Sequence, residues 1–499
     1  MIGKGYLLGI DAGSSLCKAA LFDETGALCG LARQRTPLSR PQPSWCEMDP
    51  EQSWNAVLKV IRDVVADAGI DATEIRGIGL SAAMIGAWFL DEVGNVLRPG
   101  INWEDSRSQS VLDRMEGDNP DFMSEIFLSS GSVLQQGCTL PVVAWFNENQ
   151  PDFLKKVAHV ISYKDFIRFR LTGEIATDRS EASVIPGDAR TRSRSDAMIA
   201  KFGLIDHAHR FPPVRNSESI AGGLSRLVAK QTGLPEGLPV AIGAGDVPCT
   251  VTGVGGLAPG QVTAVLGTTC MVGMCHREPV FEPKDLGLLF SIPGDCWYRA
   301  MVNVAGTLNL DWALDALAPD IKERPDVFDQ VTRMVEAIPI GAEGVVYLPY
   351  LSQSGIIAPV VDPNARAQFA GLSPIHTRAH MLRAVFEGVA FALADLIDLL
   401  GFEGAEIRLT GGGSQSRFWS QMIADVIGKR VLVPSGSEFG AKGAALILAT
   451  ALGDFSSVRE AAFPTEDLDR QHDPDLARAS AYADARATFA NVRQKLLRG

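Results

Sequence analysis

The chain has 499 residues, 46% hydrophobic and 21% charged, and 46 Lys and Arg against 59 Asp and Glu give a formal net charge of −13. That length exceeds what one core serves, so two large domains of a soluble globular protein are expected, and the dispersed acidic surface would repel nucleic acid and anionic membranes. The 8 cysteines form no C-x-x-C pair and the 7 histidines show no metal-binding spacing, which argues against a disulfide framework or zinc site and for free thiols in a reducing compartment.

From the N-terminus, the apolar run Tyr6–Ile10 enters a strand, Asp11 follows it, and Ala12-Gly13-Ser14-Ser15 turns the chain into a second apolar run, Ala19–Phe22. We read 6–22 as a hairpin with no secretory leader before it. Glu51–Ala68 predicts a helix with Trp54, Val57, Leu58, Ile61, Val64 and Val65 on one face. Segments 75–82 and 87–95 predict strands, 137–175 reads as mostly helical, and the polar, turn-rich 176–220 as a surface excursion.

A second α/β pattern opens at "LPVAIGAGD" (238–246), followed by a strand, a glycine-hydroxyl turn and a strand over 260–275. Leu7–Ser15 and Val262–Thr269 are similar devices. Glycine with Ser or Thr is common in turns, so chance supplies one reading. In two α/β halves the other is a duplicated domain, with a phosphate-holding hairpin on each side of a cleft. Further on, 380–400 and 417–427 carry helical apolar stripes that we read as core, and "IRLTGGGSQS" (407–416) runs a strand into three glycines before the second of these helices. The longest apolar stretch, around 444–453, falls well short of the ~20 residues of a membrane span. A cytoplasmic protein is expected, without membrane or nucleic-acid partners.

Phosphate needs several inward N–H donors, which backbone supplies where no Cβ blocks approach. Gly13-Ser14-Ser15 and Gly267-Thr268-Thr269 offer such surfaces, and Gly411-Gly412-Gly413 allows flat contact with a nucleotide ring or sugar near a helix N-terminus. Neither the P-loop nor the G-x-G-x-x-G fingerprint is present, which disfavours a P-loop ATPase or Rossmann dehydrogenase. A carboxylate beside phosphate calls for a cation between them, so Asp11 reads as a water-mediated Mg²⁺ partner; the plainer reading is an aspartate bonding its own hairpin. Lys18 faces phosphate or is a solvated strand lysine. Asp246, after Gly243-Ala244-Gly245, reads as a base for an attacking alcohol, a helix N-cap, or both.

From Tyr6 to about Leu452 the chain resembles the FGGY carbohydrate kinases, most closely their xylulokinase-like members. The resemblance rests on "GIDAGSSLCKA" (9–19), "WEDSR" (103–107), "GAGD" (243–246), "GTT" (267–269), "AQFAGLSPIHTRAHMLRAVFE" (367–387) and "GGGSQSRFWSQMIADVIG" (411–428), in the family's order. It implies an α/β protein of two actin-like (ribonuclease H-like) ATPase domains around a central cleft. The expected division is 1–245, with the sugar site and first phosphate loop, and 246–499, with the adenosine site and second phosphate loop. By position, Asp11 matches the Mg²⁺-associated acid, Gly13, Ser14 and Ser15 the first phosphate loop, and Gly267, Thr268 and Thr269 the second. Gly306 falls in the nucleotide cleft, Gly411 and Gly412 at the adenosine site, and Asp246 at the catalytic base. "SEFGAKGAALILA" (437–449) is similar to the small-residue helix that completes the C-terminal domain.

Two positions depart from the pattern. Val142 stands where a lysine is usual, and Ala83-Met84-Ile85-Gly86 stands where members acting on xylulose carry Gln-Met-His-Gly. Val247 also replaces an amide that often follows the base. Each sugar hydroxyl left unpaired costs roughly 1–3 kcal/mol, so a less hydroxylated, differently configured or reduced sugar is expected. The implied activity is transfer of the γ-phosphate of MgATP to a small ketose such as xylulose or ribulose. A sugar alcohol such as erythritol or glycerol is the alternative substrate, and an actin-like switch or sugar-responsive regulator is the non-catalytic one. Met84 and Ile85 are expected as an apolar wall, and Trp103, Asp105 and Arg107 as substrate contacts or pocket support. A homodimer is left open.

Overall fold

Alternating apolar residues pair the first two strands, β1 (Tyr6–Ala12) and β2 (Leu16–Phe22), antiparallel, with Asp11 opposite Lys18. The computed structural model describes residues 2–303, 305–352, 355–362, 364–462 and 468–496. β3 (Leu28–Arg35) continues the meander along β2. Helix α1 (Pro50–Ala68) starts where Asp49 accepts from the Gln52 N–H at 2.8 Å, and ends at Gly69, whose φ of 63° suits the left-handed C-cap. Its stripe of Trp54, Val57, Ile61 and Val64 packs on Leu8, Ile10 and Leu80, each fully buried aliphatic contributing roughly 1.5–3 kcal/mol. β4 (Ile75–Ala82) then lies parallel to β1.

The segment 87–95 is strand only over Trp88–Leu90, because Asp91 accepts from the Val93 and Asn95 N–H groups and closes a turn early. The helical stretch that follows includes α2 (Tyr163–Thr172) and a short strand, His159–Ile161. The surface excursion expected over 176–220 is a second correction. Its first part, including helix α3 (Arg179–Val184), is buried, with Asp178 paired to Lys164 of α2 at 3.2 Å. The strand expected at 238–246 is split into β5 (Pro239–Ala241) and the pair Ala244–Gly245 by Gly243 at φ 75°. Helix α4 (Asp246–Gly253) follows at once.

The second half repeats the first. β6 (Val262–Leu266), β7 (Cys270–His276) and β8 (Cys296–Asn303) form an antiparallel meander. After helix α5 (Arg378–Leu399), β9 (Glu406–Thr410) joins β6 in parallel. Helix α6 (Arg417–Ile427) leads to β10 (Arg430–Pro434), parallel to β9. The two 7-stranded sheets therefore share one core order, β3-β2-β1-β4-β5 and β8-β7-β6-β9-β10, with the same strand directions. The apolar stripes of α5 and α6 fill the second core, as their spacing predicted.

Helix α7 (Phe439–Ala451) docks away from its own half: Ala441, Ala445 and Leu448 pack on Leu7, Ala20 and Ala241 of the first sheet. The small residues explain the approach. A Cβ on Gly79 of β4 would lie 2.1 Å from the Ala444 carbonyl oxygen, and one on Gly443 would lie 1.8 Å from that of Cys249 on α4. Gly443→Ala must push α4 and α7 apart, at about 1–3 kcal/mol. We expect a clearly lowered thermal midpoint, whereas Gly117→Ala, in a helix and facing open space, leaves it unchanged or raised.

Candidate active site

The two hairpin tips come from the first and second sheets. In the first, the Gly13 N–H donates to the Leu16 carbonyl at 3.0 Å, and the Ser14 hydroxyl accepts from Asn102 Nδ2 and Trp103 Nε1, both at 3.0 Å. Ser15 is exposed beside it. In the second, Thr268 and Thr269 are exposed, and Gly306 backs the turn through its N–H to the Thr268 carbonyl at 2.7 Å. A Cβ on Gly306 would stand 2.4 Å from the Gly267 oxygen, and one on Gly411, at φ 92°, 2.5 Å from that of Leu266. Gly412 faces open space. The structure thus brings Gly267, Thr268, Thr269, Gly306 and Gly411 into one surface.

Asp11 is the penultimate residue of β1, where its Oδ1 accepts from the Ser81 hydroxyl at 2.8 Å. Lys18 Nζ lies 4.0 Å from Asp11 Oδ2 and 3.0 Å from Glu438, which also takes Arg33 at 2.5 Å. Lys18 is therefore neither a free strand lysine nor turned wholly to the cleft; it ties the first hairpin to the start of α7. Glu438 is partly buried, yet the Arg33 hydrogen bond and the Lys18 charge hold its carboxyl below the usual range. Burial raises the Asp11 carboxyl, with Lys18 opposing the rise.

Asp246 is the first residue of α4, with Gly245 as the N-cap. Its Oδ1 accepts from the Val247 N–H at 2.8 Å. Burial, and then the negative charge of Asp11, push its pKa up to about 7. Asp246 opens into a cleft of about 360 Å³, shared with Met84, Ile85, Trp103, Gln135, Val247 and Thr269 among others. Ile85 is held at φ 56°, a strained conformation for a β-branched residue of the kind that gathers at functional sites.

Asp105 and Arg107 do not line this cleft. They pair with each other at 2.8 Å, both fully buried; Arg107 also reaches Glu47 at 2.6 Å and stacks 3.9 Å over Trp45. Asp105 further accepts from the Cys46 N–H at 2.6 Å. Their charges are spent inside the fold, bracing the loop that carries Trp103. Direct contact with a ligand is not what their positions offer.

Sequence reasoning missed the polar cluster behind Asp246. Lys164 pairs with Asp165 at 2.6 Å and Asp178 at 3.2 Å, and Arg168 pairs with Asp165 at 2.8 Å, all of them buried. The Ser180 hydroxyl bonds Asp178 and accepts the Gly245 N–H at 3.0 Å, next to Asp246. Glu181 accepts the Ile85 N–H at 2.8 Å and so holds the strained loop. Burial, then the charge of Asp165, raises its carboxyl well above the usual range. Charges at 164, 165 and 168 on one helix read equally well as a solvated face; only packing distinguishes the two.

The two halves match the models of the N-terminal and C-terminal domains of the FGGY family of carbohydrate kinases, over residues 6–253 and 262–452. The chain belongs to that family. The FGGY chain is 33% identical over 462 residues to a xylulose kinase of Bacillus subtilis (strain 168), covering 92% of this chain and 90% of the relative. It is 31% identical over 497 residues to a xylulose kinase of Escherichia coli (strain K12), with 98% and 99% covered. A solved structure from Brucella ovis, described as a xyloylose kinase, superposes with a TM-score of 0.87 at 29% identity, covering 98% of this chain and 99% of that one. This FGGY protein is an ATP-dependent sugar kinase with the two-domain actin-like, ribonuclease H-like ATPase fold. Among the described residues no helix is long and apolar enough to cross a membrane.

The raised Asp246 carboxyl has a consequence for stability. The folded state binds its proton more tightly than the unfolded chain, so stability falls as pH rises from the ordinary 3.8 through about 7. Asp246→Asn removes that loss. Its thermal midpoint should exceed the parent's by more at about pH 8 than at about pH 4, measured by calorimetry on both proteins.

Proposed function

We propose that this kinase transfers the γ-phosphoryl group of MgATP to a terminal hydroxyl of a small ketose of the xylulose type, with Asp246 as general base. The observation that carries the reading is Asp246 itself, a cleft-facing carboxylate at the N-terminus of α4 with its pKa near neutrality. A base works best when its pKa lies near the working pH, because it is then both ionised and basic. Val247 orients Oδ1 through its N–H, leaving Oδ2 for the hydroxyl proton.

In this reading residues 1–245 carry the sugar site and 246–499 the nucleotide. The adenosine lies against Gly411 and Gly412, where Gly412 is open. At the tips Gly13–Ser15 and Gly267–Thr269, the backbone N–H groups of Ser14, Ser15, Thr268 and Thr269 and the hydroxyls address the phosphates, the Gly13 and Gly267 N–H groups being donated within their own turns. The residues present suit a divalent cation: among the described residues Asp11 Oδ2 accepts no hydrogen bond, and Lys18 stands 4.0 Å away. Asp11 would hold Mg²⁺ through water, since no cluster of three or more ligating side chains occurs among the described residues. Bound there, the ion would neutralise charge on the transferring group. The relatives described as xylulose kinases support the ketose class, and eight free cysteines suit a reducing cytoplasm.

Purified protein with MgATP should release ADP in response to a ketopentose, against a panel of pentitols, tetritols and glycerol. Asp246→Asn should lower kcat by about 10²–10⁴-fold, and kcat/KM of the parent should rise with pH through about 7. Sugar-dependent release that survives unchanged in Asp246→Asn would remove the base assignment.

A further inference from the structure

The wall of the cleft is more apolar than a fully hydroxylated sugar requires. Met84, Val184 and Phe290 belong to one packed hydrophobic cluster, and Ile85, Val247, Met271 and Leu288 pack against it as its partly buried rim. All seven face the cleft. The wall is drawn from both halves of the chain, so opening one side does not replace it with polar groups.

Most polar side chains around it are already engaged. The Ser130 hydroxyl donates to the Ile126 carbonyl at 3.0 Å, and the Ser132 hydroxyl accepts the Leu289 N–H at 2.9 Å. The Trp103 N–H is given to Ser14 at 3.0 Å. Thr269 belongs to the second hairpin tip. Gln135, Thr250 and Asp246 remain to address a sugar, and Asp246 is reserved for the reacting hydroxyl. Every carbon of a ketopentose bears oxygen, so several hydroxyls would meet Ile85, Val247 or Met271 with no partner. Leaving such groups dry is unfavourable, whereas a methyl or methylene there gains by burial.

We propose that the substrate is a deoxy ketose: a short sugar with a reacting hydroxyl at Asp246 and a methyl or methylene carbon against the Ile85–Val247 wall. The inference rests on the kinase reading above. In the transfer the hydroxyl oxygen bonds the γ-phosphorus, the bridging P–O bond to ADP breaks, and the hydroxyl proton passes to Asp246. Ile85 and Val247 are the specificity-determining residues, and Glu181, holding the Ile85 N–H at 2.8 Å, is a positioning residue for that wall.

The test compares kcat/KM for xylulose and ribulose with their 1-deoxy and 5-deoxy forms, so that one deoxy isomer keeps whichever end reacts. At least one deoxy form should exceed its parent by about tenfold or more. Val247→Asn and Ile85→Asn should each swing that ratio back toward the parent sugar. Ile85→Asn keeps the backbone, because asparagine tolerates a positive φ better than isoleucine, and nucleotide binding by each variant reports that it is folded. A parent sugar that equals or beats both deoxy forms in the unsubstituted protein overturns the proposal while leaving the kinase reading intact. ATP binding without turnover on any sugar overturns both.

Discussion

The structure hangs on a backbone-to-backbone contact. α7 comes from the C-terminal part of the chain, yet it lies against the first sheet and against α4, with glycine at the points of closest approach. Gly9 and Gly79 admit the carbonyls of Ala441 and Ala444, and Gly443 admits that of Cys249. Space that would hold methyl groups is filled by peptide planes, so the packing is tight and intolerant of one added carbon. One helix thereby sets the position of both site carboxylates, Asp11 and Asp246. A Cβ on Gly440 would stand 2.7 Å from Asp11 Oδ2, and Cys249 lies one turn after Asp246 on α4.

The electrostatic arrangement follows from that placement. Asp11 and Asp246 are buried near enough that the charge of Asp11 opposes ionisation of Asp246. Among the described residues neither acid has a cation closer than 4.0 Å; Lys18 lies that far from Asp11 and nearer to Glu438, at 3.0 Å. A protein built only for stability would pair or neutralise these groups. This one leaves Asp246 facing the cleft and places its buried ion pairs, Asp165 with Lys164 and Arg168, in the layer behind. That layer reaches the site through two hydrogen bonds, Ser180 to the Gly245 N–H and Glu181 to the Ile85 N–H. The cost of a half-buried, perturbed base is offset by rigid support beneath it.

The phosphate and sugar sides are also mechanically joined. Ser14 lies at a hairpin tip suited to phosphate, yet its hydroxyl takes both Asn102 and Trp103. The loop bearing Trp103 is in turn braced by the buried Asp105–Arg107–Glu47 cluster. Residues quoted together as one sequence motif, Trp103, Asp105 and Arg107, thus do different work. The first meets the cleft, and the other two fix where it does so.

The sequence by itself determined the α/β class, the two hairpins with their glycine tips, the core stripes of α1, α5 and α6, and the acids at positions 11 and 246. These are local: strand alternation, helical period and turn chemistry depend on residues a few positions apart. The family signatures added the pairing of two halves, which the equal strand order of the sheets reproduces. What the sequence hid depends on distant partners. The buried acids Asp178 and Glu181 fell in a stretch read as polar surface because composition does not show that Asp178 meets Lys164. The docking of α7 on the first sheet was equally invisible, since an alanine- and glycine-rich helix fits against either half. Only tertiary structure decided both, because burial of a charge and close approach of two backbones are settled by what stands opposite, and that residue lies far away in the chain.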